Sequence, residues 1–146
     1  MANPTREDPA SAQGDAGAGA PASILVVDDD PTMRRLISIV LTQAGYRVAE
    51  AGDGLEALAS VERQPPAGIL LDVMMPGLDG LEVCRRLKGD PATAAIPVVL
   101  VTALGDASHR RKGLDAGADE FMAKPVNVSD LLAVVERVLR VNGAAK

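Results

Sequence analysis

Aromatic residues are almost absent from this chain: it has one Phe, one Tyr and no Trp, 1% of 146 residues. That leaves almost nothing for stacking on bases, and the formal charge of -5 is opposite in sign to the basic footprint nucleic acid requires. Direct DNA or RNA binding is therefore not expected. A lone cysteine, Cys84, rules out an internal disulfide. No apolar run approaches the roughly 20 residues of a membrane span, and the start of the chain lacks the basic and apolar stretches of a signal peptide. A soluble cytoplasmic protein without membrane association is the simplest reading. What is present is a hydrophobic content of 47%, enough for one well-buried core in a chain too short for two ordinary domains.

Texture changes once along the chain. Residues 1–23 hold seven Ala, three Gly and three Pro and present no apolar face, so burial cannot offset their ordering entropy and a flexible tail is expected. From Ile24 onward, short apolar runs alternate with helical patterns. Ile24 to Val27 reads as a strand that stops at Asp28-Asp29-Asp30, with Asp30 as N-cap and Pro31 opening a helix. Met33, Leu36, Ile37, Val40 and Leu41 have the spacing of its buried face. Tyr46 to Ala51 alternates as a strand, and Asp53-Gly54 starts a helix carrying Leu55, Leu58 and Val61. Gly68 to Asp72 is too continuous for a one-sided strand and too short for a helix, the signature of a buried parallel strand. Leu81, Cys84 and Leu87 mark the next helix, Pro97 to Thr102 a fourth strand, Asp106 to Ala116 a polar helix, and Phe121 to Ala123 a fifth strand. A last helix carries Leu131, Leu132, Val135, Val138 and Leu139 and fades at Asn142-Gly143. Five such units in alternation predict an α/β fold, a parallel sheet with helices on both faces.

The polar residues fall at strand ends. Strand one ends at Asp28-Asp29, strand three at Asp72, strand four at Thr102 and strand five at Lys124. In a parallel sheet these carboxyl ends share one edge, where ligand sites of open α/β sheets lie. Two unit charges about 4 Å apart interact by about 4 kcal/mol at an effective dielectric near 20, so three convergent carboxylates favour a bound cation. Mg²⁺ suits such a site because it needs few protein carboxylates and keeps several waters, positions that phosphoryl oxygens can take. Phosphoryl transfer needs mainly positioning and charge neutralisation, and carboxylates form acyl phosphates. Asp72 is then the phosphate acceptor, with Lys124 as a point charge and Thr102 as a hydroxyl donor.

At these residues the chain resembles a bacterial response-regulator receiver domain, the phosphoacceptor of two-component signalling. The resemblance rests on Ile-Leu-Val-Val-Asp-Asp-Asp-Pro at 24–31, Leu-Leu-Asp-Val-Met-Met-Pro-Gly-Leu-Asp-Gly at 70–80, Val-Thr-Ala at 101–103 and Lys124-Pro125. It spans residues 24–141, leaving 142–146 as a short tail. It implies a flavodoxin-like (βα)5 fold with a five-stranded parallel sheet in the order 2-1-3-4-5. It further implies that Asp72 takes a phosphoryl group from a phosphohistidine on a sensor histidine kinase or phosphotransfer protein. Asp29, Asp72 and the backbone carbonyl of Met74 would bind Mg²⁺, with Asp28 acting through water. Thr102 and Lys124 would contact phosphoryl oxygens, the Lys124-Pro125 bond would be cis, and Thr102 with Phe121 would form a switch that alters the surface of helix 4, strand 5 and helix 5.

Plainer readings stand beside these. Acids after a strand are often helix caps, as Asp30 and Asp79 are read here, and Phe121 can be core packing alone. His109 lies among Arg110, Arg111 and Lys112 and reads as an exposed surface residue, while Cys84 reads as a core thiol. A phosphatase with a strand-end Asp is the rival enzyme, but the second Asp it wants two residues on is Met74 here. Lys146 follows soon after the last helix, so output is expected through a downstream effector, a detached output domain or a phosphorylation-dependent dimer. The Cys84 to Lys88 helix and the Asp90-Pro91 loop also resemble receivers attached to cyclic-dinucleotide enzymes. A signalling receiver that catalyses its own phosphorylation and slow dephosphorylation is the expectation, rather than an enzyme of turnover.

Overall fold

A computed structural model describes residues 22–103 and 107–142, apart from the side chains of 107–110, 141 and 142. The elements alternate throughout: β1 (Ser23–Val27), α1 (Pro31–Gln43), β2 (Arg47–Ala51), α2 (Gly54–Arg63), β3 (Gly68–Asp72), α3 (Gly80–Gly89), β4 (Val98–Thr102), α4 (Ala107–Asp115), β5 (Glu120–Ala123) and α5 (Val128–Asn142). All strand pairs are parallel, and the order across the sheet is β2-β1-β3-β4-β5. This is the expected 2-1-3-4-5 order of a flavodoxin-like (βα)5 fold.

Sequence explains which strands lie inside. β3 and β4 are buried at every position and β1 at all but Ser23, because helices cover both sheet faces and demand continuous apolar runs. At the edge, β2 buries only Ala51 and keeps an alternating pattern. One core packs Leu25, Val27, Ile69, Leu71 and Leu100 against Val61, Val83, Cys84 and Leu87 of α2 and α3. The other packs Ile24, Val26, Leu70, Val99 and Val101 against Ile37 and Leu41 of α1 and Leu131, Val135 and Val138 of α5. Alternate residues of one strand therefore feed opposite cores.

Local chemistry sets the helix starts. Asp30 caps α1 ahead of Pro31, Asp53 accepts from Glu56 N–H at 2.8 Å, and Asp79 accepts from Glu82 N–H at 2.9 Å. Three expectations are corrected. Ser23, assigned to the tail by composition, pairs with Arg47, since ladder pairing uses backbone groups and needs no apolar side chain. Leu36 and Leu55, read as core-facing, are 54% and 68% exposed. In their helices Ser38 is buried beside Ile37 and Leu41, and Ala57 beside Val61, because tertiary packing covers positions that apolar spacing passes over; the Ser38 hydroxyl is satisfied by the Arg34 carbonyl at 2.8 Å. The flexible tail over residues 1–21, the helix start at Asp106, the exposure of His109 and the tail beyond Asn142 lie outside the described residues.

Candidate functional site

Strand register brings the polar residues to one edge. Val27 lies opposite Leu71, Asp72 opposite Val101, and Thr102 opposite Ala123. Asp28 therefore emerges beside Asp72, and Lys124 follows directly after the end of β5. The ladder continues past the strand ends, with Val73 N–H donating to Val101 O at 2.9 Å and Lys124 N–H to Thr102 O at 2.8 Å. Beneath Asp72, Gly80 opens α3 so close to β3 that a Cβ there would collide with the Asp72 carbonyl oxygen. The next helix begins directly against the strand that carries the central acid.

The resulting cluster is tight. Lys124 Nζ lies 3.2 Å from Asp28 Oδ2 and 3.4 Å from Asp72 Oδ2. Asp28 Oδ1 accepts from Asp30 N–H at 2.9 Å, and Asp72 Oδ1 from Met74 N–H at 3.2 Å. Asp28 and Asp72 are 2% and 4% exposed, Thr102 is fully buried, and Asp29 stands open to solvent at the rim. Burial, then repulsion from Asp28, pushes the Asp72 carboxyl up to about 6, against the opposing pull of Lys124 and the Met74 N–H. At Lys124 burial acts downward, but attraction to Asp72 and Asp28 outweighs it and raises the ammonium pKa.

The donor set fits a hard divalent cation. Asp28, Asp29 and Asp72 each offer a carboxylate oxygen, all within 4.8 Å of one another, and oxygen-only ligation of this kind suits Mg²⁺. Lys124 alone leaves the three carboxylates with excess negative charge. Met74 meets the site through its backbone, while its side chain is exposed.

The sequence-predicted residues separate into two groups. Asp28, Asp29, Asp72, Thr102 and Lys124 come together at the sheet edge, and the Lys124-Pro125 bond is cis. Phe121 lies opposite Leu100, deeper in β5, and its half-buried ring packs toward Gly113 of α4 rather than among the acids. Asp30 and Asp79 are helix caps. Cys84 is fully buried, and burial pushes its thiol up to about 11. Sequence reading missed Arg34 and Glu50, paired at 3.0 Å from α1 to β2 across 16 residues, a separation with no local pattern to reveal it.

Residues 24–136 match the family described as the response regulator receiver domain. The chain is 50% identical over 119 residues to the response regulator PleD of Caulobacter vibrioides, covering 82% of this chain and 26% of PleD. It is 45% identical over 117 residues to RpaA of Synechocystis sp., named a DNA-binding dual master transcriptional regulator, covering 80% of this chain and 48% of RpaA. The chain thus spans less than half the length of these two relatives. The expectation of no nucleic-acid contact finds no support among them, since RpaA is named for DNA binding and an acidic charge speaks only for the residues that carry it. Among solved structures, the receiver domain of a sensor histidine kinase from Pseudomonas aeruginosa superposes with a TM-score of 0.76 at 32% identity, covering 82% of this chain and 98% of that one. It is described with a magnesium ion coordinated in its active-site cleft. Among the described residues, no helix is long and apolar enough to cross a membrane. The family match takes in both the five-stranded sheet and its acidic edge, and the chain belongs to the receiver domains of two-component response regulators.

Proposed function

We propose that this chain is a Mg²⁺-dependent phosphoacceptor in which Asp72 receives a phosphoryl group from a phosphohistidine of a sensor histidine kinase or phosphotransfer protein. One observation carries the reading: the Asp72 carboxylate is buried at the sheet edge beside Asp28, with the Lys124 ammonium within 3.4 Å of it and 3.2 Å of Asp28. An Asp72 oxygen forms the bond to phosphorus while the phosphorus–nitrogen bond of the donor breaks, its electron pair staying on the imidazole. Asp72 must be ionised to attack, and a pKa of about 6 leaves it mostly so at neutral pH. Lys124 stands close enough to follow the charge as it moves onto the phosphoryl oxygens, and the Thr102 hydroxyl would donate to the same oxygens. When bound by Asp29, Asp72 and the Met74 carbonyl, with Asp28 at one remove, Mg²⁺ would neutralise charge on the transferred group.

Phosphorylation adds about -1.5 to -2 charges, which Thr102 and Lys124 would satisfy best in a rearranged loop. Differential contacts of this kind shift the population toward a second arrangement of the α4, β5 and α5 surface, with Thr102 and Phe121 as the moving parts. That surface, within a receiver spanning residues 24–141, would act on a downstream effector, an output domain or a second copy of the chain. The chain would catalyse its own phosphorylation and slow dephosphorylation, in the cytoplasm.

Intact-mass measurement after incubation with a small acyl phosphate and Mg²⁺ tests this directly. Wild type is expected to gain one phosphoryl group, and both Asp72→Asn and chelator are expected to abolish the gain. Steady turnover of many phosphate monoesters would instead overturn the acceptor reading in favour of a phosphatase.

A further inference from the structure

The loop between β1 and α1 carries two of the three acids, and its backbone is also held from outside the loop. Asp28 is buried beside Asp72, with Lys124 Nζ 3.2 Å from the one and 3.4 Å from the other, and the backbone of the loop is held by separate contacts. Asp28 N–H donates to the Ala51 carbonyl of β2 at 3.2 Å, and Arg34 Nη1 donates to the Asp28 carbonyl at 2.7 Å. The same guanidinium donates through Nε to Glu50 Oε1 at 3.0 Å. One planar group thus spans from edge strand β2 to the peptide that joins Asp28 to Asp29. The Arg34 and Glu50 side chains are only 21% and 26% exposed, unlike a solvated surface pair. Arg35 also meets Glu50, at 3.5 Å, but is 70% exposed.

We infer that Arg34 is a positioning residue for the cation site, held by Glu50 and fixing the Asp28-Asp29 peptide so that the acids stay convergent. The inference rests on the Mg²⁺ reading above. Charge and position make opposite demands of this residue. A cation beside a cation site weakens metal binding through simple repulsion, so removing it would tighten binding. A pin that keeps the carboxylates together strengthens binding, so removing it would loosen the site. The sign of the change separates the two.

Isothermal titration of MgCl2 into protein without phosphodonor reads that sign for wild type, Arg34→Met, Arg34→Lys, Glu50→Gln and Arg35→Met, each first checked for folding by circular dichroism. Arg34→Met is expected to bind Mg²⁺ about 10- to 100-fold more weakly, as when other partners that orient metal ligands are removed. Glu50→Gln should weaken binding in the same direction, because Arg34 loses its anchor, and Arg35→Met should leave it unchanged. Arg34→Lys should recover only part of the loss, since one ammonium cannot reproduce the fork that serves both acceptors. If Arg34→Met does not fold, Arg34→Lys and Glu50→Gln carry the comparison. Binding by the Arg34 and Glu50 variants as tight as, or tighter than, wild type overturns the inference while leaving the cation site standing. A wild type that takes up no Mg²⁺ overturns the cation reading itself, and this inference with it.

Discussion

Asp72 stores repulsion that its neighbours only partly relieve. Its carboxyl is pushed up to about 6 from an ordinary value of 3.8, by burial first and Asp28 second. Between those two values the native protein holds more protons at this group than the unfolded chain, so native stability falls as pH rises through the window. Above it the whole cost is present. Asp72→Asn removes the charge and is expected to stabilise the metal-free protein by about 1–3 kcal/mol at about pH 7.5, and hardly at all at about pH 3.5. Thermal unfolding in chelator, followed by circular dichroism, measures both; equal stabilisation at the two pH values would contradict the electrostatic account. Lys124→Met should shift stability the other way at neutral pH, because Asp28 and Asp72 then face each other without a cation. This residue-scale pattern was legible in sequence only because every member ends a strand. The Arg34–Glu50 pair was not: it joins a helix face to an edge strand, and neither position carries a mark that singles it out.

Elements show where periodicity informs and where it stops. An apolar run without alternation identified β3 as an interior strand, because only a strand covered on both faces requires it, and β1 and β4, read from their apolar runs simply as strands, prove to be interior for the same reason. Helical spacing located the helices but misjudged the contact line on α1 and α2, where Leu36 and Leu55 are exposed and Ser38 and Ala57 buried. Which helix positions are covered, and how closely a helix approaches its neighbours, is set by tertiary packing that spacing does not encode. Gly80 is the sharpest instance, since any Cβ would strike the backbone of Asp72. Gly77 differs: its φ of +74° favours glycine, but nothing lies within 4 Å of a Cβ there. Gly80→Ala is therefore expected to cost about 2–4 kcal/mol through forced displacement of α3 from β3, and Gly77→Ala only about 1 kcal/mol of backbone strain. Urea denaturation followed by circular dichroism ranks them. The collision account fails if Gly77→Ala proves the more damaging.

Across the whole molecule, the two cores on either face of one sheet make the acidic edge and the buried interior parts of one folding unit. Cys84 gives access to that linkage in a chain without Trp. Its thiol is fully buried against the Ala116 carbonyl at 3.5 Å, and burial pushes its pKa up to about 11. A thiol that stays protonated in the native state reacts only when the fold opens. The same shift implies that native stability falls as pH rises from the ordinary thiol range near 8.5 toward 11, since the unfolded chain loses the proton first. Alkylation at about pH 8, where the native thiol is neutral, is therefore expected to be slow without urea and to accelerate as urea populates the open form. Mg²⁺ that binds the native acids but not the unfolded chain lowers the open fraction by the factor 1 + [Mg²⁺]/Kd, and labelling should slow by that factor when opening and closing are fast. In Asp72→Asn the slowing should shrink, although Cys84 lies on the buried face of α3 rather than at the acidic edge. Wild-type labelling that does not change with Mg²⁺ would mean that the carboxylate cluster is not coupled through a bound cation to the stability of the fold.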